Sequence, residues 1–457
     1  MQKTIKNISL CAALLATQAC GVLDVEPQQS LTRDQLFTSG DGARVALVGL
    51  YSEVQEDDYY GLHVPLMSDQ YVDIGIYNGF FLDWQQLDNG VIPALNVAAT
   101  DTWVQIYTVI ENANVIIARV PTIDDASFDE DDRAEVIAEA KAIRALAYFD
   151  LLRHWGAHFD LSSPYGVPVL LESLGGDLAN LKFLPRNTVE GTYQAIIQDL
   201  QDAEAVLAPT DDATRVSLGF VQGMLARVHL YRGEYAQAAD KATEVIESGD
   251  YALEDEYADV FDIDQTNESI FELSFNNNDQ SGFSNFLGRR AEMLVDPSLV
   301  EYFYPGDTLG PDARGVLISN ASRARFLKYD DRTNSTDPAY IMRLAEMYLI
   351  RAEALALRGE PADGLGDLNV IRERAGLEPI TVGEGETLTQ EAFDTALLNE
   401  YKYEFYAEGL RFFALVRRGR LADVGITEEF RRVFPIPLQE IQIPGNLIEQ
   451  YPGYEGQ

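Results

Sequence analysis

The sequence is poor in cysteine, histidine and positive charge. Its two cysteines, Cys11 and Cys20, both lie near the start, which excludes a disulfide framework from the body of the chain. Four histidines occur, His63, His154, His158 and His229. His154 and His158 have the spacing that turns two imidazoles to one side of a helix. Gly156 lies between them and is expected to break that helix, so both read as loop or packing residues rather than a metal pair. Lysine and arginine number 34 against 74 acids, a net charge of -40 over 457 residues. A chain so charged repels phosphate backbones and anionic lipid surfaces, which excludes nucleic acid as a partner. It also suits a saline habitat, where screening is strong; a melting temperature that rises with salt is the expected sign.

The catalytic signatures are absent too. No HExxH, GxSxG, phosphate-binding loop or GxGxxG occurs. Asp262 and Asp264 have calcium-loop spacing, but the required glycine is Asn267 and the terminal glutamate is Leu273, so an EF-hand is rejected. Paired carboxylates carry no signal among 74 acids. The expectation is a protein that is not an enzyme and has no catalytic residue, metal site or cofactor.

The N-terminus reads as a signal peptide over 1–19: Lys3 and Lys6, the apolar run Ile8 to Ala16, then small residues. That run is too short to span a bilayer. Thr17-Gln18-Ala19-Cys20 is similar to a lipobox, in which the cysteine is acylated and becomes the first mature residue; Thr17 stands where leucine is usual. Cys11 fits worse, because Leu10 precedes it where a small residue is wanted. A polar tether, Gly21 to Ser30, follows Cys20. The chain is therefore expected to be anchored through lipid on Cys20.

Helical signals dominate thereafter. Thr32 and Asp34 are expected to cap a first helix that continues through Tyr51. Residues 55–100, rich in Asp, Gly, Asn and aromatics, read as long loops. Trp103, Ile106, Tyr107, Ile110 and Ala113 recur at helical spacing up to Pro121. Asp132 to Trp155 is a long Ala-rich helix ended by Gly156, and Asn187 and Thr188 cap another that runs to Val206. Gly223 to Ala239 has the helix–glycine turn–helix pattern of a tetratricopeptide-like hairpin, with Gly233 at the turn, Tyr235 filling the gap and Ala226 and Ala238 allowing close approach. Tyr348 to Glu360 repeats it and continues as helix to Arg374. Weaker patterns at Ala145–Trp155 and Glu391–Arg418 suggest two further hairpins, at irregular spacing. Between the clear copies, residues 250–338 form an irregular insert. There Ser269 to Phe275 alternates as a strand, and Asn276 to Gly282 cannot enter a core. The fold class expected is mainly α: a tetratricopeptide-like helical-hairpin scaffold, with long loop-rich inserts and minor β. The scaffold covers about 30–60, 100–250 and 339–420.

Sugar binding needs flat aromatic faces and fixed polar partners for hydroxyls. Two loop regions have that composition, about 55–100 and 250–338. From the first come Asp69, Tyr77, Phe81 and Trp84; from the second, Asn277, Phe283, Phe286 and Arg325. Trp84, in a polar, Gly-flanked stretch, is the single residue most expected to touch ligand. Trp103 and Trp155 read as core. Glu353, Glu404 and Glu408, with Arg351, Arg411 and Arg417 nearby in sequence, read as ion pairs within the scaffold.

Five segments in register give the chain a resemblance to the SusD/RagB-like nutrient-uptake outer-membrane lipoproteins. Cys20 to Pro27 is similar to the family's opening. Ala147-Tyr148-Phe149-Asp150-Leu151-Leu152-Arg153-His154-Trp155-Gly156 resembles its long-helix ending, followed by Gly166-Val167-Pro168. Arg343 to Ala354 resembles its most recognisable helix, and Leu368 to Leu377 continues that match. Glu404 to Arg417 resembles the penultimate motif, with Tyr401-Lys402 where Glu-Arg is usual and Phe413-Ala414 in place of an aromatic-Asp pair. Phe434-Pro435-Ile436-Pro437 and Gln450 to Tyr454 resemble the closing segments, with Tyr451 where Asn is favoured. The resemblance implies one such domain over 20–457. It implies a surface lipoprotein of the outer membrane that binds a nutrient oligosaccharide and passes it to a SusC-like TonB-dependent transporter. It also points to ligand contacts from the same two loop regions, without aligning single residues. A peptide- or other-nutrient-binding member, a surface glycoside hydrolase and a helical adaptor are the alternatives.

Overall fold

A computed structural model of the protein describes residues 33–175, 184–262, 264–383, 387–443 and 447–454. The expected signal peptide, Cys20 and Thr32 lie outside the described residues.

The first long helix starts later than the sequence suggests. Ser39 Oγ accepts from Gly42 N at 3.2 Å and begins α1, Gly40–Gln55, after a separate turn, Arg33–Leu36. The segment expected as loop contains two helices and a strand: α2 (His63–Gln70), β1 (Gly75–Tyr77) and α3 (Leu82–Asp88). All of α2 is buried, which removed the polar–apolar alternation from which a helix is read.

From here the scaffold follows the expected pattern. Asn96 Oδ1 caps α4 (Val97–Arg119) by accepting from Ala99 N at 3.0 Å. Asp129 Oδ1 caps α5 (Glu130–Trp155) through Asp132 N at 2.9 Å, and Gly156 ends that helix. Thr188 Oγ1 caps α6 (Val189–Glu204) through Gly191 N at 2.9 Å. The first clear hairpin is α7 (Leu218–Tyr231) and α8 (Tyr235–Glu247). Ala226 and Ala238 are fully buried, and Gly233 makes the turn at φ +76°, a region that side-chain-bearing residues rarely enter.

Chain order continues through β2 (Ser269–Leu273), β3 (Met293–Val295), α9 (Pro297–Phe303) and β4 (Ala339–Arg343). The second hairpin is α10 (Leu344–Leu357) and α11 (Pro361–Arg374), then α12 (Gln390–Glu404) and α13 (Arg411–Arg417). Neighbouring helices pack in the order α4, α5, α6, α7, α8, α10, α11, α12, α13, so α8 rests directly on α10 although the whole insert lies between them in sequence. The insert leaves and returns at one place because β2 and β4 pair antiparallel, Ser269 opposite Arg343 and Leu273 opposite Ala339. Both strands are buried on both faces, so the alternation seen in β2 does not mark a solvent side.

Buried ion pairs clamp the insert to the scaffold. Glu404 receives Arg374 at 2.5 Å, Arg343 at 3.1 Å and Arg314 at 3.5 Å. Arg343 also pairs with Glu268 and with Glu408, the latter at 2.9 Å, and Lys328 meets Glu408 at 2.7 Å. Burial by itself would raise the Glu404 pKa, but Arg374, Arg343 and Arg314 outweigh it and hold it down to about 2. Glu353 pairs with Arg417 at 2.8 Å, while Arg351 turns to Asp367 and Arg411 to Asp73. Of the six expected ions, all but Arg351 thus have partners far from their own sequence neighbourhood. Trp103 and Trp155 are core residues, 5.4 Å apart edge to face. His154 is buried between Ser68 Oγ at 3.2 Å and the Asp150 carbonyl at 2.8 Å. Among the described residues no helix is long and apolar enough to cross a membrane.

Candidate functional site

The two regions expected to bind ligand meet at a two-stranded ribbon. β1 pairs antiparallel with β3, Gly75 opposite Val295, Ile76 opposite Leu294 and Tyr77 opposite Met293. A Cβ at position 75 would lie 2.2 Å from Met293 Cε and 2.7 Å from its Cγ, so any larger residue there would require Met293 to move. Past the ribbon, Asn78 N donates to the Glu292 carbonyl at 2.6 Å and Asn78 Nδ2 to the Ala291 carbonyl at 2.9 Å. Helix α3 is tied to β1 by Asp88, whose Oδ1 accepts from Tyr77 N at 2.8 Å and Gln70 Nε2 at 2.6 Å.

Tyr77 organises the loop that follows. Its hydroxyl donates to Glu292 Oε2 at 3.0 Å and accepts from Phe81 N at 3.0 Å. Desolvation and the Glu292 carboxylate hold that hydroxyl well above the usual tyrosine range. The loop is thereby bent outward, with Phe80 82% exposed, Phe81 44% and Leu82 66%. The two phenyl rings lie 5.3 Å apart. Arg290, salt-bridged to Glu292, places its guanidinium 5.1 Å from the Phe81 ring centre. Asn96 Nδ2 reaches back to the Asp83 carbonyl at 2.9 Å, which brings Leu95, 70% exposed, and Val97 alongside. Three consecutive exposed apolar residues with further apolar neighbours form a patch of the kind that often marks a binding site. Asn78, Asp83 and Arg290 supply polar groups at its rim.

The candidate residues separate clearly. Tyr77 and Phe81 are at the patch. Trp84, only 4% exposed, is not available to a ligand in this structure. It sits on α3 rather than in a loop and turns inward, 4.5 Å from Phe286 and 5.7 Å from His63. Phe286 is buried against it and supports Tyr77 from below, 6.5 Å away. Phe283 is fully buried and stacks on Tyr329 at 4.5 Å. Asp69 is also fully buried; its Oδ2 accepts from Gly409 N at 3.1 Å, and burial pushes its pKa up to about 8. These four correct the sequence expectation: aromatic and acidic residues in polar stretches served packing. Asn277 is exposed, but its turn is tied elsewhere, through Gln280 Nε2 to the Asn334 carbonyl at 2.6 Å. Arg325 is half-buried and braces the insert, donating to the Gly288 carbonyl at 3.0 Å. Phe80 and Arg290 belong to the patch and were not singled out from sequence. Phe80 was legible as one of three apolar residues in a row; nothing local marked Arg290. Among the described residues no group of three or more His, Cys, Asp and Glu side chains is placed to hold a metal ion.

Comparison with known proteins agrees with this architecture. Residues 313–454 match the model of the SusD family, and residues 23–230 match a family described as starch-binding and associating with the outer membrane. A SusD-like protein of Formosa agariphila is 26% identical over 93% of this chain and 94% of its own length. The solved structure of a SusD superfamily protein from Bacteroides thetaiotaomicron superposes with a TM-score of 0.78 at 24% identity, covering 91% of this chain and 100% of that one. A laminarin-binding SusD-like protein superposes at 0.75 with 23% identity, over 91% of this chain and 99% of its own. Matched in both halves by these families and along nearly its whole length by a SusD-like relative, the chain belongs to the SusD/RagB-like family.

Proposed function

We propose that this protein is a cell-surface lipoprotein that binds a nutrient oligosaccharide and delivers it to a SusC-like TonB-dependent transporter in the outer membrane. In this reading residues 1–19 are removed, Cys20 carries the lipid, and residues 20–457 act as one binding unit without catalytic function. The observation that carries it is the patch at the end of the β1–β3 ribbon. Phe80 and Phe81 stand exposed beside Arg290, Asn78 and Asp83, and the ribbon joins the two regions expected to contact ligand. Phenyl faces stack on the C–H faces of sugar rings, while amide, carboxylate and guanidinium groups pair with hydroxyls. Tyr77 and Glu292 fix the loop before ligand arrives, so little ordering entropy is lost on binding. The starch-binding description of the matched family and the laminarin-binding relative both support a neutral glucan as the first class to test.

The test is calorimetric titration of the mature chain with laminarin and with starch. Saturable binding that weakens in Phe81→Ala is expected. No saturable binding to any neutral glycan would sink the reading.

A further inference from the structure

The opposite face of the same ribbon borders a cleft that none of the candidate residues reaches. Strand alternation sends Ile76 away from Tyr77, and Ile76, 37% exposed, lines a cleft of about 680 Å³. This lies within the range of roughly 300–1,000 Å³ typical of small-ligand sites. The far wall is built by the last turn of α9 and the bend after it. Tyr304 is fixed there by its hydroxyl, which lies 2.9 Å from the Gly315 carbonyl and 2.8 Å from that of Ile318. Gly306 and Asp307 both take positive φ, +64° and +62°, and Asn320 Nδ2 donates to the Asp307 carbonyl at 2.9 Å to hold the bend.

One charged group in this cleft is unlike the rest of the molecule. Among the described side chains, Arg323 is the one arginine or lysine with no ion pair, hydrogen bond or ring contact. Arg323 is exposed and forms an ion pair with neither of the two acids that also line the cleft, Glu301 and Asp307, so its guanidinium is open to a ligand. A fixed tyrosine ring, an aliphatic wall, a guanidinium donor and two carboxylate acceptors are the complement of a hydroxyl-bearing ring. Two carboxylates against one guanidinium, on a chain of net charge -40, disfavour an anionic sugar.

We propose that this cleft is a second saccharide subsite, taking an uncharged sugar residue of the glycan that also contacts Phe80 and Phe81, so that one ligand is gripped on both faces of the β1–β3 ribbon. The proposal rests on the glycan-binding reading above. Arg323 and the two acids divide the hydroxyls between donors and acceptors, and Tyr304 with Ile76 covers an apolar ring face.

The experiment titrates the mature chain and its variants with laminarin, starch and polygalacturonate. Ala321→Trp fills the cleft from an exposed position, and Arg323→Ala removes the free guanidinium. Expected are neutral-glucan binding by the wild type, at least tenfold weaker affinity in Ala321→Trp and severalfold weaker affinity in Arg323→Ala, both with unchanged melting temperatures. Undiminished affinity in both variants, with Phe81→Ala still impaired, overturns the cleft and leaves glycan binding standing. Preference for polygalacturonate that depends on Arg323 overturns the uncharged class. Binding of none of the three glycans by the wild type removes the function and the cleft together.

Discussion

The Tyr77 hydroxyl donates to the Glu292 carboxylate at 3.0 Å across 215 residues of chain. The same oxygen accepts from Phe81 N, so one phenol links the insert to the loop that carries the exposed rings. Glu292 is buried, and its cation, Arg290, is the group held over Phe81.

Phe81→Ala is expected to weaken neutral-glucan binding by about two- to tenfold, since an aromatic stacking contact contributes on the order of 0.5–1.5 kcal/mol. Phe80→Ala should have a similar effect. Titration calorimetry reads both, and each variant should melt with the wild type because the rings are exposed.

Trp84→Ala is expected to act on stability first. Truncating a buried aromatic costs about 3–5 kcal/mol, and here it also removes the support beneath Phe286 and Tyr77. Thermal denaturation should show a clear drop in melting temperature. A Trp84→Phe variant that keeps its stability and its affinity would confirm a packing role; lost affinity at full stability would contradict it.

Glu404→Gln should destabilise, but by less than the about 3–5 kcal/mol of a buried charge left without any partner, because Arg374 keeps Glu268, Arg343 keeps Glu408 and Arg314 keeps Glu400. The pH dependence follows from its lowered pKa. An unfolded glutamate titrates near 4.3, so the Glu404 contribution is complete above that value and is lost as pH falls through about 2. Acid titration of wild type and variant should converge at the low end.

Asp69 has the reverse sign. Burial holds its carboxyl up to about 8, whereas an unfolded aspartate titrates near 3.9. Its stabilising contribution is complete below about pH 3.9 and is lost as pH rises through about 8. Asp69→Asn keeps an oxygen for Gly409 N and cannot ionise, so its melting temperature should fall less than that of the wild type between pH 6 and 9. Equal slopes would show that the group is not protonated in the fold.

Cys20→Ala should abolish acylation and shift the protein from the membrane fraction to the soluble one. Labelling with a tagged fatty acid gives the direct readout. Retained label would move the modification to another residue.

Much of the architecture was legible in the chain because helical hairpins are local objects. Gly233 with Ala226 and Ala238, and the repeat at Tyr348 to Glu360, carry their own turns and close contacts within some twenty residues. The ends at Gly156 and the cap at Thr188 are local in the same sense. The composition of the two loop-rich regions was also readable, since aromatics among Asp, Gly and Asn cannot all enter a core. Which rings face water was not readable. Trp84 and Phe81 share one polar stretch, yet α3 turns the first inward and Tyr77 bends the second outward. Asp69, Phe283 and Phe286 were drawn inside by partners as distant as Gly409 and Tyr329. The sequence alone determined the scaffold helices, their turns and the two aromatic-bearing regions between them, because those depend on neighbours along the chain. Only the tertiary structure decided that β1 meets β3 and that Arg290 lies over Phe81. Only there does a cleft open beside Ile76, because pairing between remote segments is set by burial and hydrogen bonding in three dimensions.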